Sequence, residues 1–142
     1  MKTSLPKESD ILRAWHVVDA AGKPLGRLAV KVANILRGRN KAIFTPHIDT
    51  GDFVVVINAR DVKLTGSKAE KKVYESYSGF RGGHKVTSIA TMRERHPDRI
   101  VRKAVEGMLP NNHLSRTIAK RLKVYGGADH PHVSQSPKLI NL

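Results

Sequence analysis

Trp15 to Lys41 reads WHVVDAAGKPLGRLAVKVANILRGRNK, a strand, a glycine-bounded turn and a helix in succession. Leu25, Leu28, Ala29, Val32, Ile35 and Leu36 recur at helical spacing and predict one buried stripe. Arg27, Lys31 and Asn34 fall on the opposite side. Pro24 suits the first helical position, where a missing N–H costs nothing, and Gly38 suits the left-handed position just past the end. The stretch therefore supplies a core face and a cationic face together.

Working outward, Phe53 to Asn58 is a β-branched run that is apolar on both sides, the pattern of a central strand covered on both faces. Strand, helix, strand predicts a parallel βαβ unit, whose crossover is right-handed in about 98% of cases. The intervening KAIFTPHIDTGD is rich in turn residues and reads as a surface loop. Further on, Val62–Thr65 and Val73–Tyr77 read as short strands around a turn at Gly66 and Ser67, with Lys68, Lys71 and Lys72 close by. SGFRGGH, residues 78–84, is a glycine-rich loop carrying Arg81 and His84, and Lys85–Thr87 adds a short strand.

Ser88 reads as the N-cap of a short helix that ends at His96, because Pro97 disfavours helical geometry in the residue before it. Pro97 opens a second helix with Ile100, Val101, Ala104, Val105 and Met108 along one face and Arg99, Arg102 and Lys103 elsewhere; Gly107 and Pro110 stop it. Leu114, Ile118 and Leu122 give another short helix, followed by the strand Leu122–Tyr125. This divides the chain into an N-terminal arm (residues 1–14), one α/β domain (15–127) and an extended C-terminal tail (128–142). Neither end has apolar periodicity with which to offset ordering entropy, so both are expected to order on a ligand.

The chain has 142 residues, one domain's worth, and a domain of this size buries about 68–70% of its unfolded surface. Lys plus Arg number 26 against 12 Asp plus Glu, a formal charge of +14. Self-repulsion of that size destabilises the compact state unless a polyanion neutralises it. No acidic residue occurs from Ala20 to Ile48, where Lys23, Arg27, Lys31, Arg37, Arg39 and Lys41 stand, and none from Gly107 to Ala128, where Arg116, Lys120, Arg121 and Lys123 stand. A single charge run is ordinarily a solvated face; two unbalanced windows in a basic chain point to nucleic acid. There are no cysteines, which excludes disulfides and thiolate chemistry. The longest apolar run, Phe53–Ile57, is far short of a membrane span, and the first residues lack a secretory signal's apolar segment.

Catalytic readings fail on spacing. GKPLGR has three residues between its glycines and lacks the Lys-Ser/Thr of a P-loop, and it has two glycines where a dinucleotide fingerprint needs three. It reads as a tight turn at a helix start facing a nucleic-acid phosphate. His130 and His132, with His113, are too few ligands for a metal centre and read as solvent-exposed or RNA-contacting. Asp49 and Asp52 lack a nucleophile and read as loop aspartates. Few aromatics occur, so phosphate and shape contacts to folded RNA fit better than base stacking as the dominant mode. No cofactor, membrane or small-molecule substrate is implied.

DAAGKPLGRLA, NKAIFTPHIDTGDFVVVINA, VKLTGSKAEKKVY, AVEGMLPNNHLSRTIAKRLKVYGG and HPHVSQSP together cover nearly everything from Trp15 to Pro137. In them the chain closely resembles the bacterial large-subunit ribosomal protein L thirteen family, GMLP followed by LKVY-x-G being the most specific element. Ser115 stands where the family usually has glycine, and Arg81 where it usually has proline. The resemblance implies a three-layer α/β/α domain around a mostly parallel sheet and a cytoplasmic, ribosome-bound protein without enzymatic activity. It also implies direct binding to 23S ribosomal RNA, early entry into subunit assembly and neighbouring large-subunit ribosomal proteins as partners. The family's RNA-facing segments correspond to Lys23 and Arg27, Arg37 to Lys41 with His47, Lys68 to Lys72, Arg81 to Lys85, and Arg116 to Lys123 with the histidine tail; Lys31 joins them from its helix face. The competing classes are a nucleotide-using enzyme and a free RNA-binding regulator of translation with the same surface.

Overall fold

A computed structural model describes residues 5–141; the start of the expected arm and Leu142 lie outside them. Strand β1 (Trp15–Asp19), helix α1 (Leu25–Arg37) and strand β2 (Phe53–Ile57) form the expected parallel unit, with Trp15 opposite Phe53 and Asp19 opposite Ile57. Val54, Val55 and Val56 of β2 are fully buried, as a central strand requires. Helix α1 buries Leu28, Ala29, Val32, Ala33, Ile35 and Leu36 and leaves Arg27 and Lys31 exposed, with Asn34 half-buried.

Both ends of α1 follow from local chemistry. Gly38 adopts φ 74°, its N–H donating to Ile35 O while the Arg39 N–H donates to Asn34 O, the paired closure that satisfies the last carbonyls. A Cβ at Gly38 would collide with Thr50, so the packing of the loop against the helix end also demands glycine. Pro24 is the N-cap, with an extended ψ of 125°, and not the first helical residue as expected. The cause is tertiary: it bridges to Lys63, whose carbonyl accepts from Leu25 N–H at 3.0 Å.

The chain continues with α2 (Lys68–Lys71), β3 (Val73–Tyr77), β4 (His84–Ser88), α3 (Ile89–Arg95), α4 (Pro97–Glu106), α5 (His113–Ala119), β5 (Leu122–Val124) and β6 (Lys138–Leu139). The main sheet has the order β5-β2-β1-β6 with every pairing parallel; β3 and β4 form a separate antiparallel hairpin. One core joins α1, α4 and α5 to one sheet face through Val18, Val54, Val56, Leu122, Val101, Val105 and Ile118. A smaller cluster of Ile89, Met92 and Ile100 takes in Tyr74 and so fastens the hairpin to the body. On the other sheet face Trp15 stacks on Phe53 with ring centroids 4.3 Å apart, and His132 lies 5.1 Å from Trp15. The covering found there is thus the segment after β5.

Ser88 caps α3 by accepting from Thr91 N–H, and His96 separates α3 from α4 with an extended φ of −143° before Pro97, as the sequence predicts. Val62–Thr65 is not a strand. Arg93 donates to the Val62 carbonyl at 3.1 Å, Lys63 is held by the bridge to Pro24, and β3 pairs with β4 instead. Two further elements had no sequence signal: α2, and β6, which sits beside β1 through His16–Lys138 and Val17–Leu139 with Ile140 N–H donating to Val17 O at 2.9 Å. The segment read as a tail therefore closes one edge of the sheet, and Ile11 of the arm is buried.

The two faces of α1 separate experimentally. Leu28→Ala empties a core site that is 2% exposed and is expected to cost about 2–5 kcal/mol. Replacing Arg27 and Lys31 with Ala is expected to change stability by about 0.5 kcal/mol each or less. Urea unfolding of the variants decides; a large loss from the charge variants would mean that the helix faces are assigned the wrong way round.

Candidate nucleic-acid interface

The basic residues divide by what they touch. Asp52, in the loop between α1 and β2, is 2% exposed and accepts from Ala14 N–H at 2.8 Å and from Lys41 Nζ at 2.6 Å, with His16 Nε2 at 3.3 Å. Lys41 also donates to Leu12 O at 2.9 Å. Asp49 accepts from both terminal guanidinium nitrogens of Arg121, one bond measuring 2.8 Å; Arg121 also donates to Gly51 O and lies 5.6 Å over the Phe53 ring. His132 Nε2 is 2.9 Å from Tyr125 Oη, and the His130 ring accepts from His132 N–H at 3.3 Å. Lys41, Arg121 and His132 are therefore engaged within the fold. Sequence gave no sign of this, since Asp49 and Arg121 stand 72 positions apart.

Asp19 closes the turn after β1. Its carboxylate accepts from Ala21 N–H and Asn58 Nδ2, and these bonds hold its pKa below the usual carboxylate value. Tyr74 is pushed the other way by burial, under Lys72 and Lys103 with Nζ atoms 5.3 Å and 5.1 Å from its ring centre.

Most of the other predicted residues face outward. Arg27, Lys31, Arg39, His47, Lys68, Lys71, Lys72, Arg81, His84, Lys85, Arg116 and Lys120 are exposed; Lys23, Arg37, Lys123 and His130 are half-buried. A groove of about 310 Å³ between the start of α1 and the end of α4 is lined by Lys63, Lys68, Lys72 and Lys103. Gly107 forms part of its wall and also of a second concavity that α4 and α5 enclose. Beside it Arg102, Arg116, Lys120 and Lys123 converge, with Glu106 as the acidic member of the lining. The predicted clusters 68–72 and 116–123 thus flank the end of α4. Lys63, Arg102 and Lys103 were missed as site residues: the last two were legible as the polar side of α4, but Lys63 carried no signal.

Ser115 sits in the first turn of α5, whose start Asn112 caps by accepting from Ser115 N–H at 2.8 Å. It is buried and is not among the described positive-φ residues, so nothing there requires glycine. Arg81 lies exposed at the hairpin tip. Among the described residues no group of three or more His, Cys, Asp or Glu could hold a metal, and no helix is long and apolar enough to cross a membrane.

These features define a small α/β domain with cations gathered along a groove rather than around a reaction centre. Residues 13–131 match the family Ribosomal protein L13, and the chain belongs to that family, whose members are structural proteins and not enzymes. It is 53% identical over 142 residues to the large ribosomal subunit protein uL13 of Dictyoglomus thermophilum, covering all of both chains. It is 53% identical to that of Synechococcus sp. strain WH7803 over 99% of this chain and 94% of the relative. Against the uL13 of Prochlorococcus marinus strain MIT 9301 the figures are 54%, 99% and 98%.

The Asp49–Arg121 pair is expected to be structural. Its side chains are 12% and 11% exposed, so Asp49→Ala leaves a nearly buried guanidinium unpaired and is expected to cost about 3–5 kcal/mol. Replacing both partners with apolar residues is expected to cost less than the single change. Urea midpoints of the three proteins test this; a loss under about 1 kcal/mol for Asp49→Ala would contradict the structural role.

Proposed function

We propose that the chain is a structural constituent of the large ribosomal subunit that binds 23S ribosomal RNA directly and supports early subunit assembly, alongside neighbouring large-subunit proteins. The observation that carries this reading is the run of cations across the end of α4, from Lys63, Lys68, Lys72 and Lys103 to Arg102, Arg116, Lys120 and Lys123. Such a line of cations matches the phosphates of a folded RNA, whose helices are recognised chiefly through backbone and shape. Arg27 and Lys31 on α1, with Lys23, Arg37, Arg39 and His47, extend the same surface, α2 adds Lys71, and the hairpin adds Arg81, His84 and Lys85. Ribosomal incorporation is supported by uL13 relatives named as large-subunit proteins.

Filter binding to deproteinised 23S ribosomal RNA over a salt series tests it. With about six to ten phosphates contacted, affinity is expected to fall roughly 10³- to 10⁵-fold between about 50 and 200 mM salt. Replacing Lys103, Arg116 and Lys120 with Ala is expected to reduce the slope by about one per lost contact. A nearly flat salt dependence would overturn the electrostatic reading. Sedimentation of the native protein apart from ribosomal particles would favour a free regulator.

A further inference from the structure

The β3–β4 hairpin ends in an aromatic tip for which the phosphate-binding surface has no use. Phe80, in the loop, is 77% exposed and Tyr77, at the end of β3, 67%, although the loop between the strands is tightly closed. Gly83 N–H donates to Phe80 O at 2.9 Å and Ser78 N–H to Gly83 O at 3.2 Å. Gly79 and Gly82 take φ 88° and 72°, conformations that an L side chain rarely adopts. A backbone held in this way presents its side chains without a further ordering cost on binding. The charge around the tip has one sign. No acidic residue occurs between Glu75 and Glu94, whereas Arg81, His84 and Lys85 are exposed beside the aromatic residues. Glu75 approaches His84 at 3.5 Å, but it stands two residues further down the strand than Tyr77, away from the loop.

An exposed aromatic ring set among cations suits one occupant above others. A nucleobase offers a flat π-face to the ring, and its flanking phosphates complement the cations. We propose that Phe80 is a stacking platform for an unpaired base of the RNA, with Arg81 and Lys85 engaging the phosphates on either side. This rests on the RNA-binding reading and adds to it a contact of a different physical kind, insensitive to salt.

The test uses the full chain, deproteinised 23S ribosomal RNA and a KCl series. Phe80→Ala is expected to weaken binding about 5- to 150-fold, the value of one stacked base, with the salt slope unchanged. Phe80→Tyr, which keeps a flat ring, is expected to restore affinity. Arg81→Ala is expected to lower the slope by about one. Phe80→Trp is expected to show emission quenched by the RNA beyond any change measured for Trp15 in the unmodified protein. Unchanged affinity of Phe80→Ala, or equal losses for Phe80→Ala and Phe80→Tyr, would overturn the stacking proposal while leaving RNA binding through the groove in place. Normal RNA binding with loss only of incorporation into particles would assign the tip to a protein contact and also overturn it. Failure of the unmodified chain to bind would remove the RNA reading itself.

Discussion

The buried carboxylate of Asp52 is the constraint on which the rest of the structure depends. A charge at 2% exposure persists only if it is paired and hydrogen-bonded, and its partners come from three places in the chain. Ala14 lies just before β1, His16 within it, Lys41 beyond the end of α1, and Lys41 in turn holds Leu12 O. The same loop, through Asp49 and Gly51, fixes Arg121 immediately before β5. Gly51 itself packs so closely on the Leu36 carbonyl that no Cβ fits. The βαβ unit, the third parallel strand and the N-terminal segment therefore meet at a turn-rich loop.

This arrangement sorts the cations of a strongly basic chain. Lys41 is paired with the buried Asp52 and Arg121 with the partly buried Asp49, so both are engaged within the fold. Most others stay outside, and α4 shows how: Ile100, Val101 and Val105 enter the core while Arg102 and Lys103 line concave surface on its polar side. The neighbouring hairpin is held there by Tyr74, which joins the small apolar cluster under Lys72 and Lys103. Cations so crowded repel one another in the free protein, and a polyanion relieves that repulsion.

Elements whose apolar spacing ran over several residues were legible in the sequence. The β1-α1-β2 unit, the cap at Ser88 and the break at Pro97 follow from periodicity and capping chemistry, each set by neighbours in the chain. What the sequence concealed was set by distant partners. Val62–Thr65 has strand-like composition but gives a carbonyl to Arg93; Lys138–Leu139 is too short for any period, yet completes the sheet through β1. The candidate surface divides in the same way. Clusters such as Lys68–Lys72 and Arg116–Lys123 stood out by charge alone, whereas the internal roles of Lys41 and Arg121 depend on carboxylates that only the folded loop brings to them.

The division of the cations is tested most directly by lysine acetylation read by mass spectrometry, on free protein and on protein bound to 23S ribosomal RNA. Lys41 should react slowly in both states, because its amine is held by Asp52 and Leu12. Lys63, Lys68, Lys72, Lys103 and Lys120 should react readily in the free protein and become protected by the RNA. A Lys41 that reacts freely and is then shielded by RNA, with the groove lysines equally reactive in both states, would contradict the account.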